Sequence, residues 1–236
     1  MRRHTIPRSR TRGLTLLELL VGLSLGLFVA AGAATLLSQF LGENRRLLLQ
    51  MRLEQQTQAL AELVLRDFRR AGAWRQADDG IARDGAAAPT NPYAALQGAA
   101  PEAAVDTLRF SYADGPVPED TAPGTEPSAQ AGFRLREGIV DARLGSRWQP
   151  LTDPALMTVT TFELRLRQRV LDLERHCARP RPLGQCPDDD TCPPRLLQRH
   201  AALQLEAQAA REPAIRHALQ GEAALRNDVV EGVCPQ

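Results

Sequence analysis

Glu18 lies five residues after Gly13, in the stretch Arg12-Gly13-Leu14-Thr15-Leu16-Leu17-Glu18, at the mouth of an apolar run that carries no other charge until Glu43. An ionised carboxylate in lipid costs a few kcal/mol, so an acid at that place is a functional group in need of a partner. A second set is Cys177, Cys186, Cys192 and Cys234. An even count in a segment outside the cytoplasm points to two disulfides, with three pairings open, and the late Cys234 must reach back towards the 177–192 loop. The competing chemistry, a thiolate zinc site, fits poorly, because spacings of eight, five and 41 intervening residues contain no C-x-x-C knuckle. Asp188-Asp189-Asp190 could offer carboxylates to calcium, but three consecutive acids cannot all face one ion and no calcium-loop pattern follows. His176, His200 and His217 belong to no metal-ligand pair or nucleophile signature. No metal, cofactor, catalytic residue or small-molecule substrate is expected.

The element that positions Glu18 must be a helix able to insert. Leu19 to Gly42 is uncharged over 24 residues, which at about 1.5 Å per residue gives about 36 Å, enough for a hydrocarbon core of about 30 Å. Twelve of those residues are Leu, Val or Phe, and their summed insertion energy of about −4 to −7 kcal/mol outweighs one acid near the end. Residues 1–13 carry Arg2, Arg3, Arg8, Arg10 and Arg12 and no acid, which places that end in the cytoplasm and the bulk of the chain outside. Gly22 and Gly26 form a G-x-x-x-G pair, a spacing frequent by chance in a helix so rich in Ala and Gly.

A secretory signal carries its cleavage site beyond the apolar core; here the processing point that the sequence offers, Gly13, precedes it. In this the chain resembles the type IV prepilin signal, with Gly13 before the cut, Leu14 after it where Phe is usual, and Glu18 at the fifth mature position. The resemblance implies that prepilin peptidase cuts between Gly13 and Leu14 and methylates the new amine. It also implies that the helix then leaves the inner membrane for a filament in which Glu18 meets the N-terminal ammonium of a neighbouring subunit. The plainer alternative is a single-pass anchor whose Glu18 lies at headgroup level.

Past the span, Leu49, Leu53, Leu60, Val64, Phe68 and Ala71 recur at helical steps, with Gln56 as a polar interruption and arginines and glutamates on the other faces. The spacing predicts one helix from Leu14 to Ala71, about 87 Å long, ended by Gly72. Residues 73–104, rich in Ala, Gly, Asp and Pro, read as a loop. Alternation predicts strands at Val105–Ala113, Gly132–Arg136, Gly138–Leu144, Val159–Val170, Ala201–Ala209 and Ala223–Val230, with Asp114–Gln130 a proline-broken connection. One long helix followed by five or six strands predicts an α+β fold, pilin-like, with the helix packed on an antiparallel sheet. The domain reading is a leader at 1–13, a transmembrane or filament-core helix at 14–42, its amphipathic continuation at 43–72, and an exported globular domain at 73–236.

Arg66-Asp67-Phe68-Arg69-Arg70-Ala71-Gly72, Gly132-Phe133-Arg134-Leu135-Arg136 and Leu225-Arg226-Asn227 also resemble the PilW-type minor pilins and related prepilin-peptidase-dependent proteins, and are similar to the PulJ-type minor pseudopilins of type II secretion. The resemblance implies a non-catalytic subunit with a periplasmic domain, whose partners are prepilin peptidase, other minor and major pilins, and the inner membrane before assembly. Its alternatives are a pseudopilin of a secretion system and a pilus-tip module for adhesion or DNA uptake. Nucleic acid is not expected as a partner: 29 arginines, with no lysine, are balanced by 28 acids for a net charge of +1, and only ten residues are aromatic.

Overall fold

The computed structural model describes residues 13, 15–75, 77–80, 90–99, 102–115, 127–177, 194–232 and 234. Leu14, Cys186, Cys192, Asp188-Asp189-Asp190 and residues 1–12 lie outside them. Helix α1 spans Leu16–Phe68, 53 residues, and contacts divide the chain into two compact units, 1–48 and 49–236.

In the second unit, α1 buries Leu53, Thr57, Leu60, Ala61, Val64 and Phe68, a stripe of three- and four-residue steps facing the sheets. The polar interruption inside the stripe is Thr57 rather than the expected Gln56. Its hydroxyl donates to the Leu53 carbonyl one turn back, so the buried polar group is satisfied within the helix. The helix stops at Phe68, three residues before the predicted Ala71. From there the chain tightens through i to i+3 bonds, Arg70 N–H to Asp67 O and Ala71 N–H to Phe68 O, both 3.0 Å. Gly72 then takes the left-handed φ of +73° that glycine adopts without steric cost.

Among the described residues nine strands follow, all antiparallel: β1 Ala104–Val105, β2 Thr107–Ala113, β3 Ser128–Arg136, β4 Ile139–Leu144, β5 Arg147–Pro150, β6 Met157–Asp172, β7 Arg195–Ala209, β8 Glu212–Ala224 and β9 Val229–Glu231. Strands β2-β3-β4-β5 form a four-stranded meander, and β1-β6-β7-β8 form the second sheet, with β9 also paired to β7. Strands β3 and β4 are joined by Glu137-Gly138, both at positive φ, 51° and 79°, as a two-residue hairpin of primed type requires. The core gathers the buried face of α1 with Leu108, Phe110, Phe133, Val140, Met157, Phe162, Leu164 and Leu205. Phe68 is its centre, with ring centroids 5.2 Å from Phe110 and 5.8 Å from Phe133.

The α+β fold with its long N-terminal helix and antiparallel sheets is as expected; several strand bounds are not. Ser128–Gln130 belong to β3 and pair with Ala113, Tyr112 and Ser111, since no proline follows Pro127 to break them. The short β5, closed by Pro150, is additional. The strand predicted at Ala223–Val230 does not exist as one element. Ala223 and Ala224 end the 13-residue β8, and β9 begins five residues later, after Asn227 at φ 57°. Strand β8 escaped the pattern because its inward positions include Gly221, where a Cβ would lie 2.5 Å from Leu65 Cδ1. The helix approaches too closely there for the large residue that would have revealed a strand.

Candidate processing and assembly site

The helix that carries Glu18 begins with a capping arrangement. Thr15 precedes α1, its carbonyl accepts from Leu19 N–H at 3.1 Å, and its hydroxyl accepts from Glu18 N–H at 3.3 Å. Thr15-x-x-Glu18 is thus a capping-box sequence, and Glu18 lies in the first turn, where the helix dipole favours an anion. This role is legible in the sequence and adds to the one inferred there. Gly13, two residues earlier, is exposed, and a methyl group added to it would meet no described atom within 4 Å.

Every residue of α1 from Leu16 to Leu48 is exposed. Leu16 is 79% and Phe28 80% exposed, a surface that water does not tolerate over several turns. The helix is long and apolar enough to cross a membrane. Two of its hydroxyls turn back onto the helix: Ser24 donates to Val21 O at 2.9 Å and Thr35 to Gly32 O at 2.8 Å, so neither presents an unmet donor to an apolar neighbour. From Leu16 to Gly42, Glu18 is the single ionisable side chain.

The chemistry-bearing residues of the second unit lie elsewhere. Cys177, in the turn after β6, is bonded to Cys234, with Cα atoms 5.2 Å apart; Cys186 and Cys192 lie outside the described residues. Among the described residues no group of three or more His, Cys, Asp or Glu could hold a metal. A cleft of about 830 Å³ is lined by Asp106, Arg109, Arg134, Trp148 and Glu163 among others. One of its two arginines, Arg134, is already committed. Arg134 donates to Asp141 Oδ2 at 2.9 Å through Nε and at 2.8 Å through Nη2, and its guanidinium lies 4.4 Å from the Trp148 ring centroid. The carboxylate of Asp141 is buried and shared with Arg136 at 3.2 Å. These contacts tie β3 to β4 and β5. Two further groups are perturbed. Burial pushes the Tyr112 phenol up, against the Arg70 guanidinium 4.2 Å from its ring, and burial lowers the Arg199 guanidinium, opposed by Asp228.

Two family models match this chain. That of prepilin peptidase-dependent protein B covers residues 46–225, and that of the prokaryotic N-terminal methylation motif covers residues 8–34. The chain belongs to the prepilin peptidase-dependent protein B family. It is a type IV pilin-like, prepilin-processed protein, and the methylation-motif match contains Gly13, Leu14 and Glu18. The families matched are pilin-like structural proteins, and the apolar helix with its prepilin motif fits a membrane-anchored pilin. No curated protein and no solved structure matches the chain.

Proposed function

We propose that this chain is a minor pilin, a non-catalytic subunit that helps to start assembly of a type IV pilus together with other minor and major pilins. Prepilin peptidase cuts between Gly13 and Leu14 and methylates the new amine. Before assembly the helix anchors the protein in the inner membrane, with residues 73–236 in the periplasm.

The observation that carries this reading is the lone acid Glu18 in the first turn of a bare apolar helix, with a glycine on the arginine-rich side of it. Once the leader is removed, the Leu14 ammonium and Glu18 are the two charges at the end of an otherwise neutral rod. Between adjoining subunits the carboxylate of one and the ammonium of another neutralise each other in a low-dielectric setting. Removing one partner strands the other at a cost of about 3–5 kcal/mol. A plain anchor has no use for the pair.

The test uses two substitutions. Gly13→Ala leaves an uncut precursor longer by the 13-residue leader, because the peptidase needs close backbone approach at that position. Glu18→Ala is cut to the normal length and is then scarce in sheared filaments. Wild-type incorporation of Glu18→Ala overturns the proposed charge pair, and normal maturation of Gly13→Ala overturns the cleavage site.

A further inference from the structure

Leu225 is the last residue of the described chain that is buried. It belongs to the core, and its N–H donates to the Arg199 carbonyl at 2.9 Å. The family-model match ends at the same residue. The segment from Arg226 to Gly232 folds back as a clasp over the start of β7 and the turn that follows α1. Asn227, held at φ 57°, donates from Nδ2 to the Gly72 carbonyl at 2.8 Å, beside Asn91, which donates to the same oxygen at 2.9 Å. Asp228 accepts from Gln198 at 3.4 Å, β9 pairs with Arg195–Leu197, and Glu231 lies 3.7 Å from Arg195. The chain then ends its described course at the bond between Cys234 and Cys177.

These contacts are polar, short in sequence and partly exposed, and none buries an apolar side chain in the core. Each such bond or ion pair is individually weak, whereas ordering the nine residues after Leu225 costs conformational entropy at every one of them. The covalent link changes the balance, because it confines the segment beside its partners and raises their effective concentration.

We propose that residues 226–234 form a redox-controlled clasp, closed by the Cys177–Cys234 disulfide and open in the dithiol state, while the core up to Leu225 stays folded in both. A small dithiol carries out the opening. Its thiolate attacks one sulfur of the bond and displaces the other as a thiolate, which takes up a proton. The second thiol of the reagent then closes on the mixed disulfide, leaving the reagent oxidised to its cyclic disulfide and both cysteines as thiols. Opening frees the β7 backbone at Arg195–Leu197, which is then available as a strand edge, and leaves Asn91 as the side-chain cap on Gly72.

Hydrogen exchange read by mass spectrometry on the full-length protein in detergent micelles tests this, comparing the oxidised protein, the protein reduced with dithiothreitol, and Cys234→Ser. Reduction and Cys234→Ser are expected to speed exchange at least about tenfold in peptides covering 195–197 and 229–231, and to leave 201–207 and 60–68 protected. Asn227→Gly keeps the left-handed turn and removes the Gly72 bond; in its oxidised form 229–231 stays protected, because the disulfide holds the clasp. Three results overturn the proposal: unchanged exchange at 229–231 on reduction, loss of protection at 201–207 together with the clasp, or loss at 229–231 in oxidised Asn227→Gly.

Discussion

Replacing one phenylalanine on each half of α1 should have very unequal consequences. Phe68 is fully buried and meets Phe110 and Phe133 at 5.2 and 5.8 Å, so Phe68→Ala removes the ring on which the helix, β2 and β3 converge. A buried Phe→Ala change costs about 3–5 kcal/mol through lost transfer energy and the cavity left behind. Set against a domain stability of about 5–15 kcal/mol, this leaves the variant folded but weakened. With a guanidinium slope of about 4 kcal/mol per molar, the midpoint falls by about 1 M. Phe28, on the same helix, is 80% exposed, and Phe28→Ala is expected to move the midpoint by about 0.1 M or less, as substitutions without packing partners do. Equilibrium unfolding of the full chain in micelles, followed by the fluorescence of Trp74 and Trp148, gives both numbers. A loss under about 1 kcal/mol for Phe68→Ala, or equal losses for the two variants, refutes the view that the two halves of the helix do different work.

Two further outcomes rest on the packing. Gly221→Ala places a methyl group 2.5 Å from Leu65 Cδ1 and should cost about 1–2 kcal/mol in the same unfolding assay. Adding Leu65→Ala should recover part of that cost as a coupling energy, and strict additivity of the two losses would show that helix and strand do not meet there. Asp141→Asn removes the buried charge that Arg134 and Arg136 share and should lower stability by about 2 kcal/mol, discounted because both arginines are partly exposed. An unchanged unfolding midpoint counts against that cluster as the tie between β3, β4 and β5.

How far the sequence reveals the fold depends on how much each residue has to say locally. Leu53, Leu60, Val64 and Phe68 announce a helix face because large apolar side chains recur at its period, and β2, β3 and β6 announce themselves through alternating Leu, Phe and Arg. Strand β8 is silent for a tertiary reason: Gly221 is small to admit Leu65, so the alternation that a strand pattern needs is missing where the helix presses closest. The break at Asn227 is hidden because that residue is fixed by a carbonyl 155 positions away, at Gly72. The pairing of Cys177 with Cys234, separated by 57 residues, is beyond sequence spacing for the same reason. Around Glu18 the opposite holds. Gly13, the apolar run and the acid are local, and so is the Thr15-x-x-Glu18 cap, which the cost of the acid in lipid overshadows in the sequence.

The central claim concerns which end of the apolar helix is freed, and the mass and N-terminal sequence of the protein purified from its native host test it most directly. The account predicts a chain that begins at an N-methylated Leu14 and keeps Glu18 and the whole apolar run. A chain that begins at Met1, or at any residue beyond Gly42, contradicts it.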